Sequence, residues 1–160
     1  MSEIFRKFLR TLPDFPSDLP EFDPANAPQD PALLFKQWLD EALDAGEQQP
    51  HAFSLATVGG TTDGSPQPSS RMLILKNIDD DGWHFATSRT SRKGRELAES
   101  PKAAMNFYWP DWHERPRADG SDNPQWQLYA LQPAEIEFWQ ASNGGRHVRH
   151  RVGPDGSPLD

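Results

Sequence analysis

Residues 71–98, RMLILKNIDDDGWHFATSRTSRKGRELA, form the stretch of sequence that decides the fold. Residues 71–76 are an apolar strand with a basic side chain at each end, and the Asp-rich residues 79–82 favour a turn. A second strand is predicted at 83–87, and Ser91 can then cap a short helix. A strand, a turn, a strand and a helix in direct succession indicate an antiparallel sheet with helices packed outside it.

A longer helix is predicted upstream of this stretch. Asp30 is a good N-cap, Pro31 suits the first helical position, and Gly46 supplies a stop. Between them, apolar residues recur every three or four positions, as on the buried face of a helix. These residues are Leu34, Trp38, Ala42 and Ala45.

Further short strands complete the predicted fold. They are expected at 53–58, 103–109, 126–131 and 134–139, where β-branched and aromatic residues are frequent. The sequence therefore predicts a mainly β protein with flanking helices, arranged as a small antiparallel barrel or sheet.

The chain divides into a central region and less regular ends. Its 160 residues are enough for one domain. The core is expected at 30–109, a loop or linker at 110–125, and a last structured segment at 126–152. Residues 1–29 are rich in proline, which fixes φ and removes a donor, so this arm should be extended rather than helical. It would lie on a surface, such as that of a partner subunit, or remain disordered, and residues 153–160 should fray.

Composition excludes several functional classes. The chain has 24 acidic and 16 basic residues, a formal charge of −8, which argues against general nucleic-acid binding. Because it has no cysteine, disulfides, thiolate metal sites and thiol nucleophiles are excluded. No apolar run approaches the roughly 20 residues of a membrane span, and no signal segment is recognisable, so a cytoplasmic location without membrane contact is expected. The sequence also lacks GxSxG, HExxH, P-loop and GxGxxG motifs.

A group of basic residues lies at the predicted start of the short helix. Its members are Arg89, Arg92, Lys93 and Arg95. Free backbone N–H groups and the positive end of the helix dipole favour an anion there, and the neighbouring hydroxyls could complete a phosphate pocket. A local basic cluster in an acidic protein suits one bound phosphate better than a polyanion. The alternative is a solvated charged face.

Two other groups of basic residues are candidates for ligand binding. Arg71 and Lys76 would point to opposite faces in strict alternation, unless the strand twists or ends at Lys76, and they could also simply flank a buried strand. Residues 146–151, RHVRHR, could bind an anionic ligand, with a histidine transferring a proton, or could be a solvated basic tail. Metal binding is not expected there, because the arginines would repel a cation and no acidic residue is close in sequence.

The order and spacing of these segments resemble the pyridoxamine/pyridoxine 5'-phosphate oxidase family, whose members are homodimeric FMN proteins with a split β-barrel. The resemblance consists of several pieces in the same order along most of the chain. They are DPALLFKQWL at 30–39, FSLATV at 53–58, PSSRMLILK at 68–76, GWHFAT at 82–87, SRKGREL at 91–97, FYWP at 107–110, and the segment from Trp126 through EFWQ at 137–140 to Arg149.

This resemblance implies a flavin site and part of a substrate site. The implied FMN contacts are Arg71, Met72, Leu73, Ile74, Leu75, Lys76, Ala86, Thr87, Arg92, Lys93, Trp139 and Arg149, the last two across the dimer interface. The implied substrate contacts are Lys76, Arg146 and His147. The family has its arginine two positions before this histidine, where the present chain has Gly145.

The chain also departs from the family pattern. Residues 110–125 stand in place of a longer family segment with further barrel strands and the Tyr, Arg and Ser that hold the substrate phosphate. The short strand that usually ends the family's chains is missing after Val152. The barrel is therefore expected to be incomplete, with the cofactor half of the site better represented than the substrate half.

The activity implied by the resemblance is FMN-dependent oxidation of pyridoxamine or pyridoxine 5'-phosphate to pyridoxal 5'-phosphate, with O2 as acceptor. The protein would orient this small phosphorylated substrate and neutralise two phosphates with arginine and lysine. One alternative is a split-barrel relative with another substrate, such as a phenazine precursor. The other is a shortened, non-catalytic paralogue that keeps a dimer or binding role.

Overall fold

The structure, a computed structural model, describes residues 3–12, 21–60, 63–109, 126–141 and 147–159. In chain order its elements are α1 (Glu3–Leu9), a short 3-10 helix (Pro24–Asn26), α2 (Pro31–Asp44), β1 (Ala52–Gly60), β2 (Pro66–Asp79), β3 (Gly82–Ser88), α3 (Arg92–Glu99), β4 (Ala103–Asn106), β5 (Trp126–Leu131), β6 (Ile136–Gln140) and β7 (Val148–Val152). Within these ranges, no helix combines the length and the apolar character needed to cross a membrane.

Five strands form an antiparallel sheet in the order β4-β1-β2-β3-β5, and β6 pairs with β7 in a separate antiparallel ladder. β4 and β5 lie at opposite edges of the larger sheet and do not pair with each other in the described part of the chain. The prediction of a mainly β protein with flanking helices is confirmed, and the open sheet agrees with the expectation of an incomplete barrel.

Helix α2 begins and ends where its sequence predicts. The side chain of Asp30 accepts a hydrogen bond of 2.9 Å from the backbone N–H two residues further on, and Pro31 is the first helical residue. Just beyond the helix, Gly46 has a φ of 91°, a conformation that favours glycine. Leu34 and Ala42 of the predicted apolar face are buried and Trp38 packs against the core, whereas the predicted Ala45 lies beyond the last helical residue and is exposed.

Two clusters of buried apolar side chains form the core. The first joins α2 to β3, β6 and β7, and its buried members are Leu34, Phe35, Trp83, Phe138 and Val152. The second lies against the five-stranded sheet, and its buried members are Phe53, Leu55 and Phe85. The rings of Phe35 and Trp83 meet edge to face with centroids 4.4 Å apart, a geometry that adds about 0.5–1.5 kcal/mol to the effect of burial. Helix α2 therefore holds the β6–β7 ladder against the larger sheet.

Strand β2 is longer than the predicted strand at 71–76. Its first residues pair with the second half of β1, and its last residues pair with β3. The pairing with β3 shifts between Leu75 and Asn77, so Lys76 is the extra residue of a β-bulge. Strand β4, in contrast, ends at Asn106 rather than at the predicted limit of 109.

The N-terminal arm is not extended throughout, because residues Glu3–Leu9 form helix α1. The prediction was wrong here since the first proline of the arm is Pro13, which lies beyond this helix. Glu3 and Lys7 also favour helix, as an i,i+4 ion pair of 3.3 Å with the acidic residue in the first turn.

Residues 13–20 of the arm and the predicted loop at 110–125 lie outside the described residues. Where the arm is described again, Phe22 packs edge to face on Trp38 of α2, with ring centroids 5.0 Å apart. This part of the arm therefore lies on the core of its own chain.

The C-terminal tail is ordered up to Leu159, contrary to the expectation that residues 153–160 fray. The N–H of Leu159 donates a hydrogen bond of 2.9 Å to the carbonyl of Arg151 on β7. Gly156 has a φ of 78°, and a Cβ at this position would collide with the carbonyl of Gln29. Backbone contacts with β7 and with the residue before the α2 cap fix the tail, and such contacts leave no pattern in the sequence.

Candidate functional site

A cluster of polar side chains, two of them buried, lies where β1, β2 and α3 meet. The register pairs Thr57 of β1 with Ser69 of β2, and Arg71 lies two residues further along β2, so all three share one face of the sheet. Glu96 reaches this face from α3 and is only 5% exposed. Together with Arg92 of α3, these residues are called the Glu96 cluster below.

Both carboxylate oxygens of Glu96 accept hydrogen bonds from neighbouring side chains. Oε2 accepts hydrogen bonds from Thr57 Oγ1 at 2.5 Å and from Ser69 Oγ at 2.8 Å. Oε1 accepts a hydrogen bond of 2.7 Å from Nε of Arg92. Burial alone would raise the pKa of Glu96, but the hydrogen bonds that it accepts outweigh burial and lower the pKa to about 2. Glu96 is therefore a buried anion at neutral pH.

Arg71 is fixed by the same cluster. Its Nη1 donates to the carbonyl of Leu55 at 3.2 Å and to Thr57 Oγ1 at 2.6 Å. Its Nη2 donates to Ser69 Oγ at 2.5 Å and to Glu96 Oε2 at 3.2 Å. These contacts occupy the N–H bonds of both terminal nitrogens. Only the Nε–H of Arg71 has no partner among the described residues, so Arg71 brings mainly positive charge to the site.

Arg92 and Lys93, in the first turn of α3, retain unused donors. Arg92 uses Nε for Glu96, but its terminal nitrogens make no hydrogen bond within the described ranges, and its side chain is 61% exposed. Lys93 likewise has no hydrogen-bond partner among the described residues. Burial and then repulsion from Arg71 lower the pKa of Lys93, so an anion placed beside it would be stabilised.

The start of α3 is held tightly against the preceding loop. Ser91 Oγ accepts a hydrogen bond of 3.2 Å from the N–H of Gly94 and donates one of 2.7 Å to the carbonyl of Ser88. The hydroxyl of the buried Thr87 lies 3.4 Å from that of Ser91. A Cβ at Gly94 would collide with the carbonyls of Ser88 and Arg89. The predicted cap at Ser91 is confirmed. At position 94, one turn later, only glycine fits without this collision.

The charges of this region favour a phosphate group. Arg71, Arg92 and Lys93 carry three positive charges beside a single buried carboxylate. Guanidinium and ammonium donors, together with the first turn of a helix, suit a phosphate monoester with nearly two negative charges. This donor set therefore fits the phosphate of FMN. Among the described residues, no group of histidine, aspartate and glutamate side chains could hold a metal ion.

The other residues of β2 and β3 implied as flavin contacts are divided between the two faces of the sheet. On the core face are Leu73, Leu75 and Thr87; on the outer face are Met72, Ile74 and Ala86. Met72 is 65% exposed, so the outer face is accessible to a ligand or to a second subunit.

Lys76 lies at the β-bulge and is exposed. It borders a groove between α2 and β2, together with Asp30 and His51. Arg71 lies instead in the Glu96 cluster, on the face of β2 that meets α3. The structure of this chain therefore does not bring the two basic ends of the predicted strand together.

The C-terminal basic residues lie on β7, a strand that was not predicted. Alternation along β7 turns His150 toward the core, where it lies opposite Phe138, and turns Arg149 and Arg151 to the other face. Arg151 forms an ion pair of 2.8 Å with Glu135. The basic side chains of this segment are thus divided between two faces of the ladder rather than gathered around one point.

Trp139 and Arg149 are directly opposite each other on β6 and β7 and share a face. The ring of Trp139 lies 4.9 Å from that of His147, just before β7. Arg146 is outside the described residues. The structure therefore groups Trp139, His147 and Arg149 on a ladder separate from the sheet that carries the Glu96 cluster.

Glu96 and its partners Thr57 and Ser69 were not among the predicted site residues. One signal was present, because Glu96 follows Arg92 by four residues, the spacing of an ion pair on one helix face. The burial of Glu96 depends on the pairing of β1 with β2 beneath α3, which no local pattern reveals.

Known proteins match this chain over much of its length. The family profile described as pyridoxamine 5'-phosphate oxidase matches residues 39–130. A pyridoxine/pyridoxamine 5'-phosphate oxidase of Cupriavidus taiwanensis is 42% identical over 129 residues, covering 76% of this chain and 58% of that protein. The enzyme of the same name from Salinibacter ruber is 41% identical over 179 residues, covering 76% of this chain and 81% of that protein. The chain thus spans less than two thirds of the Cupriavidus relative.

A solved structure of similar size shares the fold. PhzG from Burkholderia lata 383, in complex with tetrahydrophenazine-1-carboxylic acid, aligns with a TM-score of 0.70 and 28% sequence identity. The alignment covers 88% of this chain and 95% of that chain. The architecture described above therefore extends over nearly the whole of this neighbour.

Proposed function

The chain belongs to the pyridoxamine 5'-phosphate oxidase family, and on this premise we propose that it binds FMN and oxidises pyridoxamine or pyridoxine 5'-phosphate to pyridoxal 5'-phosphate with O2. The fold is the split barrel of that family, open between β4 and β5 in the described residues. The observation that carries the proposal is the start of α3, where Arg92 and Lys93 have donors that no described residue uses.

Each basic residue at this end of α3 has a separate role in the proposal. Arg92 and Lys93 donate hydrogen bonds to the FMN phosphate, and Arg71 adds positive charge from its half-buried position. When bound, FMN supplies the two-electron redox chemistry. The protein binds and orients both ligands, which suits a chain rich in basic clusters and without a nucleophilic motif.

The C-terminal ladder provides the remaining contacts in this proposal. Trp139 and Arg149 share a face and would contact the flavin from the second subunit. His147, beside Trp139, would hold or move a proton at a ring nitrogen. Lys76 and Arg146 would contact the substrate together with His147.

The second subunit of the proposed homodimer would cover the outer face of the sheet. Met72 is 65% exposed and Leu128 is 58% exposed, although both are large apolar side chains on central positions of their strands. Exposure of such a face to water is unfavourable, and a second copy of the chain would remove it from solvent.

Two measurements on the full chain test the proposal. Titration of flavin fluorescence should show tighter binding of FMN than of riboflavin, because riboflavin lacks the phosphate. Anaerobic addition of pyridoxine 5'-phosphate should then bleach the flavin absorbance, and air should restore it. A chain that binds neither flavin would contradict the proposal.

A second candidate is FMN-dependent oxidation of a phenazine precursor. The match to PhzG favours it, because that structure contains tetrahydrophenazine-1-carboxylic acid and aligns over 95% of its own length. Bleaching by this compound and not by pyridoxine 5'-phosphate would select the second candidate. Bleaching by neither, with FMN bound, would favour the shortened, non-catalytic paralogue.

A further inference from the structure

The buried carboxylate beneath the basic residues carries one further inference. We propose that Glu96 is a positioning residue for the flavin phosphate: it fixes Arg71 and Arg92 so that the terminal nitrogens of Arg92 meet the phosphate beside Lys93. The inference rests on the proposed binding of FMN and deepens it, because a phosphate site does not by itself require a buried anion.

Arg92 can bind Glu96 and a ligand at the same time. Glu96 Oε1 holds Nε at 2.7 Å, and this leaves both terminal nitrogens available. The side chain is 61% exposed, so without this contact it would sample many rotamers. If a long side chain becomes ordered only when the ligand binds, the loss of its conformational entropy weakens binding. Because Glu96 already holds Arg92, part of this entropy is lost before the ligand binds.

The charge of Glu96 has an effect of the opposite sign. A carboxylate close to a phosphate repels it, so Glu96 helps FMN binding only if its hold on the arginines outweighs this repulsion. The side chain of Glu96 is 7% exposed, and the hydroxyls of Thr57 and Ser69 share its negative charge. Because these two effects oppose each other, a substitution that removes the charge of Glu96 shows which is larger by whether FMN affinity falls or rises.

The strand next to Glu96 offers a second way to disturb it. A Cβ at Gly59 would lie 3.0 Å from Cγ and 3.1 Å from Oε1 of Glu96. A Cβ at the neighbouring Gly60 would have nothing within 4 Å. A methyl group at position 59 would therefore push the Glu96 side chain by a few tenths of an ångström, whereas one at position 60 would leave it in place.

The test compares the dissociation constants of FMN and riboflavin for the full-length wild type, Glu96→Gln, Gly59→Ala and Gly60→Ala. Glu96→Gln keeps the size of the side chain and removes its charge. Glu96→Gln should weaken FMN binding about tenfold or more, because a charge-assisted contact is lost. It should leave riboflavin binding unchanged, because riboflavin lacks the phosphate. Gly59→Ala should weaken FMN binding by a smaller factor than Glu96→Gln and should also leave riboflavin binding unchanged. Gly60→Ala should bind both flavins as the wild type does. Circular dichroism and thermal melting report whether each variant folds.

Several outcomes would overturn the inference. Tighter FMN binding by Glu96→Gln would mean that Glu96 only repels the phosphate, and an equal loss for both flavins would mean a purely structural role. If Glu96→Gln does not fold, the comparison of Gly59→Ala with Gly60→Ala decides the matter. A wild type without preference for FMN over riboflavin would contradict the proposed function, and the inference with it.

Discussion

At the scale of single residues, the first turns of α3 contain two ionisable groups whose pKa values are lowered for different reasons. Hydrogen bonds to the charged form lower the pKa of Glu96 to about 2 in spite of its burial. Burial and repulsion from Arg71 lower the pKa of Lys93. The charge of Glu96 is thus satisfied within the protein, whereas that of Lys93 still lacks an anion. Binding of a phosphate should therefore raise the pKa of Lys93.

The lowered pKa of Glu96 predicts a pH-dependent contribution to stability. Its folded-state pKa of about 2 lies below the ordinary value of 4.5, so its contribution is complete above about pH 4.5 and is lost as the pH falls toward 2. Glu96→Gln should lower the free energy of unfolding by about 1–3 kcal/mol at pH 7. Denaturant titrations of both proteins should show this difference shrinking below pH 4.5. A difference that is independent of pH, or equal to that of the exposed Glu99→Gln on the same helix, would contradict the assignment.

The unused donors of Arg92 and Lys93 give a second prediction. The double variant Arg92→Ala/Lys93→Ala should weaken FMN binding about 100-fold, since each charged contact contributes on the order of 1.5 kcal/mol or more, and should leave riboflavin binding nearly unchanged. Fluorescence titration measures both. Arg6→Ala/Lys7→Ala on α1 removes the same charge elsewhere and should have little effect. Equal losses for the two flavins would refute the phosphate role.

At the scale of elements, the tight contact between α3 and the loop before it decides where the basic residues point. The Cβ of an alanine at position 94 would come within 2.7 Å of the carbonyl oxygen of Arg89. This oxygen belongs to the backbone and cannot rotate away as a side chain would. Any larger residue at Gly94 must therefore shift the helix relative to the loop.

Gly94→Ala tests this contact, because two effects of opposite sign compete. Alanine favours a helix over glycine by about 1 kcal/mol, whereas overlap in a well-packed site costs about 1–3 kcal/mol. We expect the cost of overlap to be the larger effect, so that the free energy of unfolding falls by about 1 kcal/mol and the melting temperature by about 2–4 °C. Thermal melting followed by circular dichroism measures it, with Gly60→Ala as the control in open space. If Gly94→Ala is more stable than the wild type, the loop before α3 moves to make room for the methyl group, and the expectation is wrong.

Elements with local signals could be predicted, with α1 as the exception, and elements defined by distant contacts could not. Asp30, Pro31 and Gly46 delimit α2, and Ser91 caps α3, as their sequences indicate. Strand β7 was missed because its residues 148–152 are mostly basic, and only pairing with β6 makes them a strand. The ordered tail likewise depends on backbone contacts across the chain.

The candidate site shows the same division. Arg92 and Lys93 were predicted as phosphate ligands because helix starts bind anions through groups adjacent in sequence; the structure has both in the first turn of α3, and their role toward a phosphate stays a prediction. Glu96 could not, because its role requires strands β1 and β2 to place Thr57 and Ser69 beneath α3. The roles of Trp139, Arg149 and His147 toward a ligand stay predictions, although the structure brings these three residues together.

At the scale of the whole molecule, this chain lacks residues inside the region that it shares with a relative. The alignment with the Salinibacter ruber relative spans 179 residues, more than the 160 of this chain, so that relative has internal residues that this chain lacks. In the described residues, β4 and β5 are open edges of the sheet, and the outer face between them carries the exposed apolar side chains of Met72 and Leu128. A second copy of the chain on this face would remove both side chains from water.

The outer face therefore predicts the oligomeric state. Leu128→Arg places a charge on this face, where Leu128 is 58% exposed, and should convert a homodimer into a monomer because burial of an unpaired charge is unfavourable. Leu33→Arg on α2, where Leu33 is 46% exposed, introduces the same charge away from the sheet and should leave the dimer intact. Sedimentation velocity measures both. If Trp139 and Arg149 contact FMN across the interface, the Leu128→Arg monomer should also bind FMN at least about tenfold more weakly. A monomeric wild type, or a Leu128→Arg dimer, would exclude this face as the interface.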